Sequence, residues 1–254
     1  MVGERAIEGI AFDLGNTLIP INYGKCFRMF GQEVGLPAYD IDRIFGEMID
    51  SLERGLYPVS GGSTPISIGY PDSLFVKAEK AGIELHASFC QRVTEARKRR
   101  VCPPLDHEES LSYERFLEIF NDVPHSFEYD RLDFVRRLGE RYKIVFVSNT
   151  NPISLYFLKT IKPYSEFFSL APVVASHEVG ARKPESAMWE RVIEVLGVDP
   201  ARSVFVDDVA AFVEGWLAYW REKGISSHGV VCRSYNFYAT MRELEEMGIS
   251  WGME

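Results

Sequence analysis

Carboxylates stand directly after two apolar runs of the chain. Asp13 follows the run GIAF, and the pair Asp207 and Asp208 follows the run SVFV. If these runs are parallel strands, their carboxyl ends meet at one edge of a sheet, where open α/β sheets bind their ligands. Adjacent acids at a strand end are unfavourable unless a cation joins them, and Mg²⁺ prefers oxygen ligands together with a substrate phosphate. The paired acids therefore indicate a Mg²⁺ site.

Candidate phosphate-binding groups follow other apolar runs. Gly15 and Asn16 suit a tight turn with an unusual backbone conformation, and the exposed amides of such a turn can hold phosphate oxygens. Ser148 and Asn149 supply a hydroxyl and free backbone amides after a third run, and Lys183 precedes a proline that can open a helix. Each feature alone is also ordinary, since Asp before Gly-Asn is common turn chemistry and a lysine is usually a surface residue.

Short apolar runs alternate with helix-like segments in the second half of the chain. The β-branched and aromatic content of the runs is typical of buried strands. The alternation predicts an α/β fold with a parallel sheet and right-handed crossovers. The predicted strands are residues 7–14, 143–148, 170–175, 203–207 and 229–232, and the predicted helices are residues 152–161, 185–196 and 209–223.

A long segment separates the first two predicted strands. Residues 19–142 are far too many for one crossover, so they must contain structure of their own. Residues 59–71 (VSGGSTPISIGYP) are rich in Gly, Ser and Pro, which predicts a loop or a flap. We expect a core domain of residues 1–18 and 130–254, with a mostly helical domain inserted at 19–129. Amphipathic periodicity predicts helices at residues 39–54, 73–81, 88–99 and 112–120.

Composition excludes several classes of protein. The formal net charge of −9 opposes binding to nucleic acid, because neutralising phosphates needs clustered Lys and Arg, and the basic run at residues 97–100 is interpreted as a solvated surface. No stretch approaches about 18 uninterrupted apolar residues and the first residues lack a secretory pattern, so neither a membrane partner nor export is expected. The four scattered cysteines have no C-x-x-C spacing, which favours reduced thiols in the cytoplasm.

The order of these features resembles the four sequence motifs of the haloacid dehalogenase-like (HAD-like) superfamily. The motifs are a strand-end Asp with a Thr four residues on, a strand-end Ser, a Lys-Pro and a strand-end Asp-Asp. In this chain they are matched by Asp13, Ser148, Lys183 and the pair Asp207 and Asp208. The resemblance implies a Rossmann-like core with a five-stranded parallel sheet and a type-1 helical cap inserted after the first motif. It also implies a small phosphorylated metabolite as substrate.

The resemblance further implies roles for individual residues. Asp13 would attack phosphorus and form an aspartyl-phosphate, which water then hydrolyses. Asp13, the Gly15 carbonyl and Asp208 would hold Mg²⁺. Asp207 would be an outer acid that orients metal-bound water or Lys183. The groups expected to bind the phosphoryl oxygens are Ser148, the Asn149 amide, Lys183 and the turn amides at Gly15 and Asn16.

Two positions depart from the superfamily pattern. Most of its phosphatases carry a second Asp two residues after the nucleophile, as general acid and base, where this chain has Gly15. General acid-base assistance is worth about 10²- to 10⁴-fold in rate, so alkyl esters with poor leaving groups should suffer most. Active phosphatases with such a D-x-G-N pattern belong to the superfamily. Relatives usually have Asp or Asn four residues after the last motif acid, where Phe212 stands here, so weaker metal binding is expected.

Two other functions fit part of the pattern. The 2-haloacid dehalogenase branch also lacks the second Asp and uses the same nucleophile on carbon without a metal. Against it, Asp207 and Asp208 would repel a carboxylate substrate unless a cation neutralised them. A catalytically weak binding protein with this fold is the other alternative. The function expected first is a Mg²⁺-dependent phosphomonoester hydrolase, and no motif indicates its oligomeric state.

Overall fold

The computed structural model describes residues 6–59, 62–67, 73–100, 111–124 and 126–252, with the backbone alone described at 57–59 and 62–67. The strands are β1 (Gly9–Asp13), β2 (Leu56–Val59), β3 (Gly62–Ser67), β4 (Lys143–Ser148), β5 (Val173–Ala175), β6 (Ser203–Asp207) and β7 (His228–Val231). The helices are α1 (Tyr23–Val34), α2 (Ala38–Glu53), α3 (Leu74–Arg100), α4 (Tyr113–Asn121), α5 (Tyr129–Gly139), α6 (Pro152–Thr160), α7 (Phe167–Leu170), α8 (Ser176–Val179), α9 (Ser186–Leu196), α10 (Ala210–Glu222) and α11 (Phe237–Glu246).

Five of the strands form a parallel sheet in the order β5-β4-β1-β6-β7. The central strand β1 pairs with β4 on one side, where Asp13 lies opposite Val147, and with β6 on the other, where Phe12 lies opposite Val206. The predicted α/β fold with a five-stranded parallel sheet is therefore confirmed. The strands on both sides of β1 also end in polar residues, so the sheet order sets up the site described below.

Successive residues of β1 face opposite layers of helices, as the period of a strand requires. Ala11 belongs to an apolar cluster with Trp189 of α9 and Trp216 of α10. The next residue, Phe12, makes an edge-to-face contact with Phe134 of α5. Because helices cover both faces, β1 and β6 are buried along their whole length, and this explains why their sequences are continuous apolar runs.

The chain separates into two compact units. The first consists of residues 1–20, 126–149 and 158–254 and holds the five-stranded sheet. The second consists of residues 21–125 and 150–157 and holds α1 to α4 with the two-stranded β2-β3 sheet. Helix α6 thus begins in the second unit and ends in the first.

Phenylalanine side chains fill the centre of the second unit. Phe30, Phe45, Phe89 and Phe116 are each at most 3% exposed, and every pair among them has ring centroids between 4.9 and 6.4 Å apart. The four rings come from α1, α2, α3 and α4 respectively. Aromatic pairs of this kind add about 0.5–1.5 kcal/mol to the stabilisation from burial alone, so this cluster joins all four helices.

The two helices predicted at 73–81 and 88–99 are a single helix, α3, so that prediction was wrong. Its buried positions continue without a break through Ala81, Leu85 and Phe89, at the spacing of one helix face. The apolar periodicity of the sequence identified the two ends of α3 as separate helices. The residues between them are equally compatible with a helix, so the two segments are continuous.

The stretch 59–71 was predicted to be a loop or flap, and this was wrong for Val59, which ends β2, and for residues 62–67, which form β3. Strand β3 pairs with β2 in an antiparallel arrangement, with a register shift between Tyr57 and Val59. A composition rich in Gly, Ser and Pro marks hairpins as well as loops, which explains the error. Residues 60–61 and 68–71 of this stretch lie outside the described ranges.

Other helices were predicted correctly or were not foreseen. Helices α2, α4, α6, α9 and α10 confirm predictions to within one residue at each end. Helices α1, α5, α7, α8 and α11 were not predicted, and α5 becomes important for the site. The strand predicted at 170–175 is shorter, since Leu170 ends α7 and β5 begins at Val173. Among the described residues, no helix combines the length and the apolar character that a membrane crossing requires.

Candidate active site

Asp13 is the last residue of the central strand and lies at the carboxyl edge of the sheet. Strand β4 ends beside it at Ser148, and strand β6 ends at Asp207. Asp13 is 6% exposed, Ser148 9% and Asp207 1%, so these polar groups are buried. Because the three strands run parallel, their last residues share one edge, and the structure brings together Asp13, Ser148 and Asp207 there.

Main-chain hydrogen bonds close the turn after β1. The amides of Leu18 and Ile19 donate to the Leu14 carbonyl at 3.0 and 2.8 Å, and the Asn16 amide donates to the Ile19 carbonyl at 2.8 Å. Asn16 has a φ of 56°, a left-handed conformation that asparagine adopts more readily than most residues. The unusual conformation predicted for this turn therefore falls on Asn16 and not on Gly15, which has no positive φ.

The ammonium group of Lys183 lies between two carboxylates. Nζ is 2.5 Å from Oδ1 of Asp13 and 2.6 Å from Oδ2 of Asp207, and the residue is 4% exposed. The side chain of Asn149 holds the main chain of Lys183, because it accepts a hydrogen bond from the Lys183 amide at 2.8 Å and donates one to the Lys183 carbonyl at 3.2 Å. Sequence reasoning considered only the backbone amide of Asn149, so this use of its side chain was missed.

The adjacent acids Asp207 and Asp208 have different surroundings. Both carboxylate oxygens of Asp207 have partners, since Oδ1 accepts a hydrogen bond from the Val209 amide at 2.8 Å and Oδ2 accepts one from the lysine ammonium. Asp208 is only half-buried, and its carboxylate accepts a hydrogen bond from the side chain of Asn16. Its amide donates to Oγ1 of Thr17 at 3.0 Å. Asp208 is therefore tied to the turn after β1, whereas Asp207 is tied to the lysine.

Burial and neighbouring carboxylates raise the pKa values of Asp13 and Asp208. Burial is the largest cause that raises the pKa of Asp13 from 3.8 to about 7; Asp207 and Asp208 add to the rise, and Lys183 opposes it. The pKa of Asp208 is also raised, first by burial and then by Asp207. Burial alone would lower the pKa of Lys183, but its two carboxylate partners together raise it. A further cation at this edge would therefore lower the free energy of the ionised site.

The three aspartates have the chemistry of a site for a hard metal ion. One carboxylate oxygen from each of Asp13, Asp207 and Asp208 lies within 4.8 Å of the others. Three carboxylates outnumber the single ammonium of Lys183, so the ionised cluster carries excess negative charge. Oxygen donors of this kind suit Mg²⁺ or Ca²⁺ rather than a softer metal. The residues present therefore fit the predicted Mg²⁺.

Phe212 contacts the lysine of the site. The centroid of its ring lies 5.2 Å from Nζ of Lys183, and the ring of Phe205 lies 5.8 Å from the same atom. An aromatic face attracts a cation at such distances. Phe212 therefore contacts the cation of the site and supplies no oxygen to a metal.

Two further residues at this edge were given no role from the sequence. Thr17 is fully buried and accepts the hydrogen bond from the Asp208 amide. Arg131 of α5 is 7% exposed and donates to the Thr17 carbonyl at 2.9 Å. The sequence signal for Arg131 is a cation on the apolar face of a helix, since Phe134 and Val135 follow at helical spacing and are buried. That signal is visible only once α5 is recognised.

Similarity to known proteins extends over most of the chain. A protein-family model described as haloacid dehalogenase-like hydrolase matches residues 7–215. Phosphatase MT3486 of Mycobacterium tuberculosis is 23% identical over 211 residues, which are 83% of this chain and 82% of that protein.

Solved structures show the same fold. A predicted HAD-like family hydrolase from Porphyromonas gingivalis matches with a TM-score of 0.59 and 21% identity, over 94% of this chain and 98% of that one. A HAD family enzyme from Bacteroides thetaiotaomicron, an aspartate-to-alanine mutant in complex with magnesium and inorganic phosphate, matches with a TM-score of 0.58 and 20% identity over 93% and 99%. L-2-haloacid dehalogenase from Xanthobacter autotrophicus, with chloropropionic acid covalently bound, matches with a TM-score of 0.51 and 16% identity. The match covers 96% of this chain and 84% of that one.

At these identities the structural likeness is evidence for the fold and not for the reaction. The family model is evidence for the family itself, since its match spans all four candidate motifs from Asp13 to Asp208. The predicted superfamily is thereby confirmed, while the D-x-G-N variant and the type of cap stay predictions. The chain belongs to the haloacid dehalogenase-like hydrolase family.

Proposed function

We propose that this hydrolase is a Mg²⁺-dependent phosphomonoesterase in which Asp13 attacks phosphorus. The observation that carries the proposal is the position of Asp13, which is in contact with Lys183 and within 4.8 Å of two further carboxylates. A nucleophile, a cation for phosphoryl oxygens and ligands for a hard metal thus share one sheet edge. The proposed substrate is a small phosphate ester, which the phosphatase among the relatives supports.

Asp13 and Lys183 account for the proposed covalent step. An oxygen of Asp13 forms a bond to phosphorus while the bond from phosphorus to the leaving oxygen breaks, and that oxygen takes a proton from solvent. Water then attacks the aspartyl-phosphate, which releases inorganic phosphate and restores Asp13. Burial raises the pKa of Asp13 to about 7, and the ammonium of Lys183 opposes this rise. Lys183 therefore helps to keep the nucleophile ionised near neutral pH. The same ammonium stabilises charge on the phosphoryl oxygens in the transition state.

Asp13, the Gly15 carbonyl and Asp208 are the proposed holders of Mg²⁺. Asp207 is proposed to stay outside the coordination shell, which its two engaged oxygens support. When bound, Mg²⁺ supplies positive charge that offsets the repulsion between the carboxylates and the phosphoryl group. The groups proposed to bind phosphoryl oxygens, besides Lys183, are Ser148, the Asn149 amide and the turn amides at Gly15 and Asn16.

Substrate selection is proposed to depend on the inserted segment 19–129, as a helical cap on a core of residues 1–18 and 130–254. The residues of the core site account only for the phosphoryl group. Gly15 offers no general acid, which favours esters whose leaving groups need little protonation, such as aryl, acyl and anomeric phosphates.

We also propose that the protein acts in the cytoplasm. Cys26, Cys90 and Cys232 are free thiols. Recovery of the protein in the cytoplasmic fraction of its cell tests this location.

A metal-independent 2-haloacid dehalogenase is the second candidate, because the chain shares its fold with such an enzyme and lacks an acid at Gly15. The excess negative charge at the sheet edge argues against it, since a haloacid carboxylate would meet Asp207 and Asp208. A catalytically weak binding protein is the third candidate, and the same assay separates all three.

The assay compares metal-stripped enzyme with and without Mg²⁺ on a panel of phosphate esters and 2-haloacids. The panel includes sugar 1-phosphates, acyl phosphates, simple alkyl phosphates and p-nitrophenyl phosphate. We expect phosphate release that disappears with EDTA and returns with Mg²⁺, and a phosphorylated Asp13 in acid-quenched samples. Halide release that survives EDTA would establish the dehalogenase instead. Absence of any turnover, together with ligand binding, would favour the binding protein.

A further inference from the structure

We infer that Arg131 is a positioning residue for the turn that follows the nucleophile. Its guanidinium fixes the main chain of Asn16 and Thr17, and through them the Gly15 carbonyl and Asp208. Only the expected effect of Arg131 on Mg²⁺ binding rests on the proposed function. The contacts on which it depends are properties of the fold itself.

The guanidinium of Arg131 binds main-chain carbonyls in two separate loops. Nη1 donates to the Thr17 carbonyl at 2.9 Å and to the Asn16 carbonyl at 3.4 Å. Nη2 donates to the Ser234 carbonyl at 2.6 Å, in the loop that follows β7. A guanidinium presents its donors in a rigid planar fork, so these bonds set the separation of the two loops. A lysine ammonium at this position would be a single point donor.

The surroundings of Arg131 are unusual for a buried cation. The residue is 7% exposed, and its guanidinium carbon lies 4.9 Å from the centroid of the Phe237 ring. Burial lowers the pKa of its guanidinium, although Glu128 and Cys232 oppose this. Its hydrogen bonds go to carbonyl groups, and burying a cation in this way is unfavourable compared with packing an apolar side chain. The placement therefore points to a task that needs several fixed donors.

The turn that Arg131 holds is the turn that holds Asp208. Oγ1 of Thr17 accepts the hydrogen bond from the Asp208 amide at 3.0 Å, and the side chain of Asn16 donates to the Asp208 carboxylate. The Thr17 residue is thus fixed at its carbonyl by Arg131 and at its hydroxyl by Asp208. Asp13, by contrast, is held by the pairing of β1 with β4. Loss of Arg131 should therefore loosen two of the three proposed metal-holding groups and leave the nucleophile in place.

The first test measures amide hydrogen exchange in metal-free protein by NMR. In Arg131→Lys we expect the amides of Asn16 and Asp208 to exchange at least about tenfold faster, because the turn opens more often. Arg137→Met is the matched control: Arg137 lies on the same helix and pairs with Asp133 at 2.8 Å on the surface, so its loss should leave both amides unchanged. Unchanged exchange in Arg131→Lys overturns the inference.

The second test measures Mg²⁺ binding by calorimetry, with global stability determined on the same samples. We expect the dissociation constant of Arg131→Lys to rise about 10- to 100-fold, the range for residues that orient metal ligands. A merely structural residue would lower stability without changing the Mg²⁺ affinity of the folded protein, so an affinity within about twofold of wild type rejects the positioning role. If wild type binds no Mg²⁺, the proposed function fails and the exchange measurement alone decides the role of Arg131.

Two further variants keep the test decisive. Thr17→Val removes the acceptor for the Asp208 amide, and combined with Arg131→Lys it should weaken Mg²⁺ binding by less than the product of the single effects. Strictly multiplicative effects overturn the route through Thr17. Arg131→Gln replaces the lysine variant if that one does not fold. If both variants are unfolded, Arg131 serves the whole fold and the inference is rejected.

Discussion

The two compact units of this hydrolase fill their buried positions in opposite ways. At the sheet edge of the first unit, Asp13, Lys183 and Asp207 are ionisable and are 6% exposed or less. At the centre of the second unit, the contacting rings belong to phenylalanines from four helices. Burying like charges is unfavourable, whereas burying apolar rings is the main source of stability. The buried charges at the sheet edge therefore lower the stability of the fold but form the candidate active site. The aromatic centre stabilises the fold and contains no candidate catalytic group.

This difference predicts that substitutions in one region change activity, whereas substitutions in the other change stability. A change at the sheet edge should alter turnover or metal affinity and leave the protein folded. A change in the aromatic centre should weaken folding and leave Mg²⁺ affinity intact, because the proposed metal holders all belong to the first unit.

The largest effect is expected for Asp13→Asn. The amide is isosteric but barely nucleophilic, so kcat for any phosphate ester should fall by at least about 10³-fold while the protein stays folded. Steady-state kinetics and circular dichroism check both parts. Asp133→Asn, an exposed acid on α5, is the control and should keep wild-type activity. Turnover of the Asp13 variant within about tenfold of wild type contradicts the mechanism.

The reverse pattern is expected for Phe116→Ala. Phe116 is fully buried and contacts the rings of Phe30, Phe45 and Phe89, so its truncation should lower the free energy of unfolding by about 3–5 kcal/mol. Denaturant titration measures this, and calorimetry on the folded protein should give an unchanged Mg²⁺ affinity. Phe75→Ala, at a position 51% exposed, is the matched control and should cost less than about 1 kcal/mol. A large change in Mg²⁺ affinity in the Phe116 variant would break the comparison.

The two adjacent acids should differ in their effect on the metal. Asp208→Asn removes a proposed ligand, and we expect the Mg²⁺ dissociation constant to rise by about 100-fold or more. Asp207→Asn disturbs an outer position and should raise it by about tenfold. Titration of metal-free protein with Mg²⁺ measures both. An equal or reversed order would mean that the roles of the pair are misassigned.

Adding a carboxylate at Gly15 should change the dependence on the leaving group. In wild type, kcat/KM should depend steeply on leaving-group pKa, because no side chain of that turn protonates the leaving oxygen. Gly15→Asp should speed alkyl ester hydrolysis by up to about 10²-fold and flatten that dependence. The absence of a positive φ at Gly15 means that its backbone conformation is open to other residues. A flat dependence in wild type would show that another group already supplies the proton.

The smallest effect is expected in the pH dependence of stability of the metal-free protein. Burial raises the pKa of Asp13 to about 7 in the folded state, against an ordinary value of 3.8. The folded state therefore binds more protons between these values, and the free energy of unfolding falls as pH rises through that window. Asp13→Asn lacks this loss, so the difference in Tm between the variant and wild type should move in the variant's favour as pH rises from about 5 to about 8. A gap that does not vary with pH contradicts this.

The sequence by itself determined the fold class, the superfamily and the candidate positions for chemistry. These features are local: an apolar run of strand length can be recognised without its partners, and the acid, hydroxyl or lysine that follows it must lie at a carboxyl edge if the strands are parallel. For this reason the sequence alone identifies the candidates Asp13, Ser148, Lys183 and the pair Asp207 and Asp208.

Only the tertiary structure decided how these residues are held. The side chain of Asn149 holds the main chain of Lys183 across 34 positions, and Arg131 holds the Thr17 carbonyl across 114. The different surroundings of Asp207 and Asp208, which are neighbours in the chain, likewise come from partners elsewhere. Hydrogen bonds over such separations leave no periodic trace in the sequence, because they depend on which loops the fold brings to the same edge of the sheet.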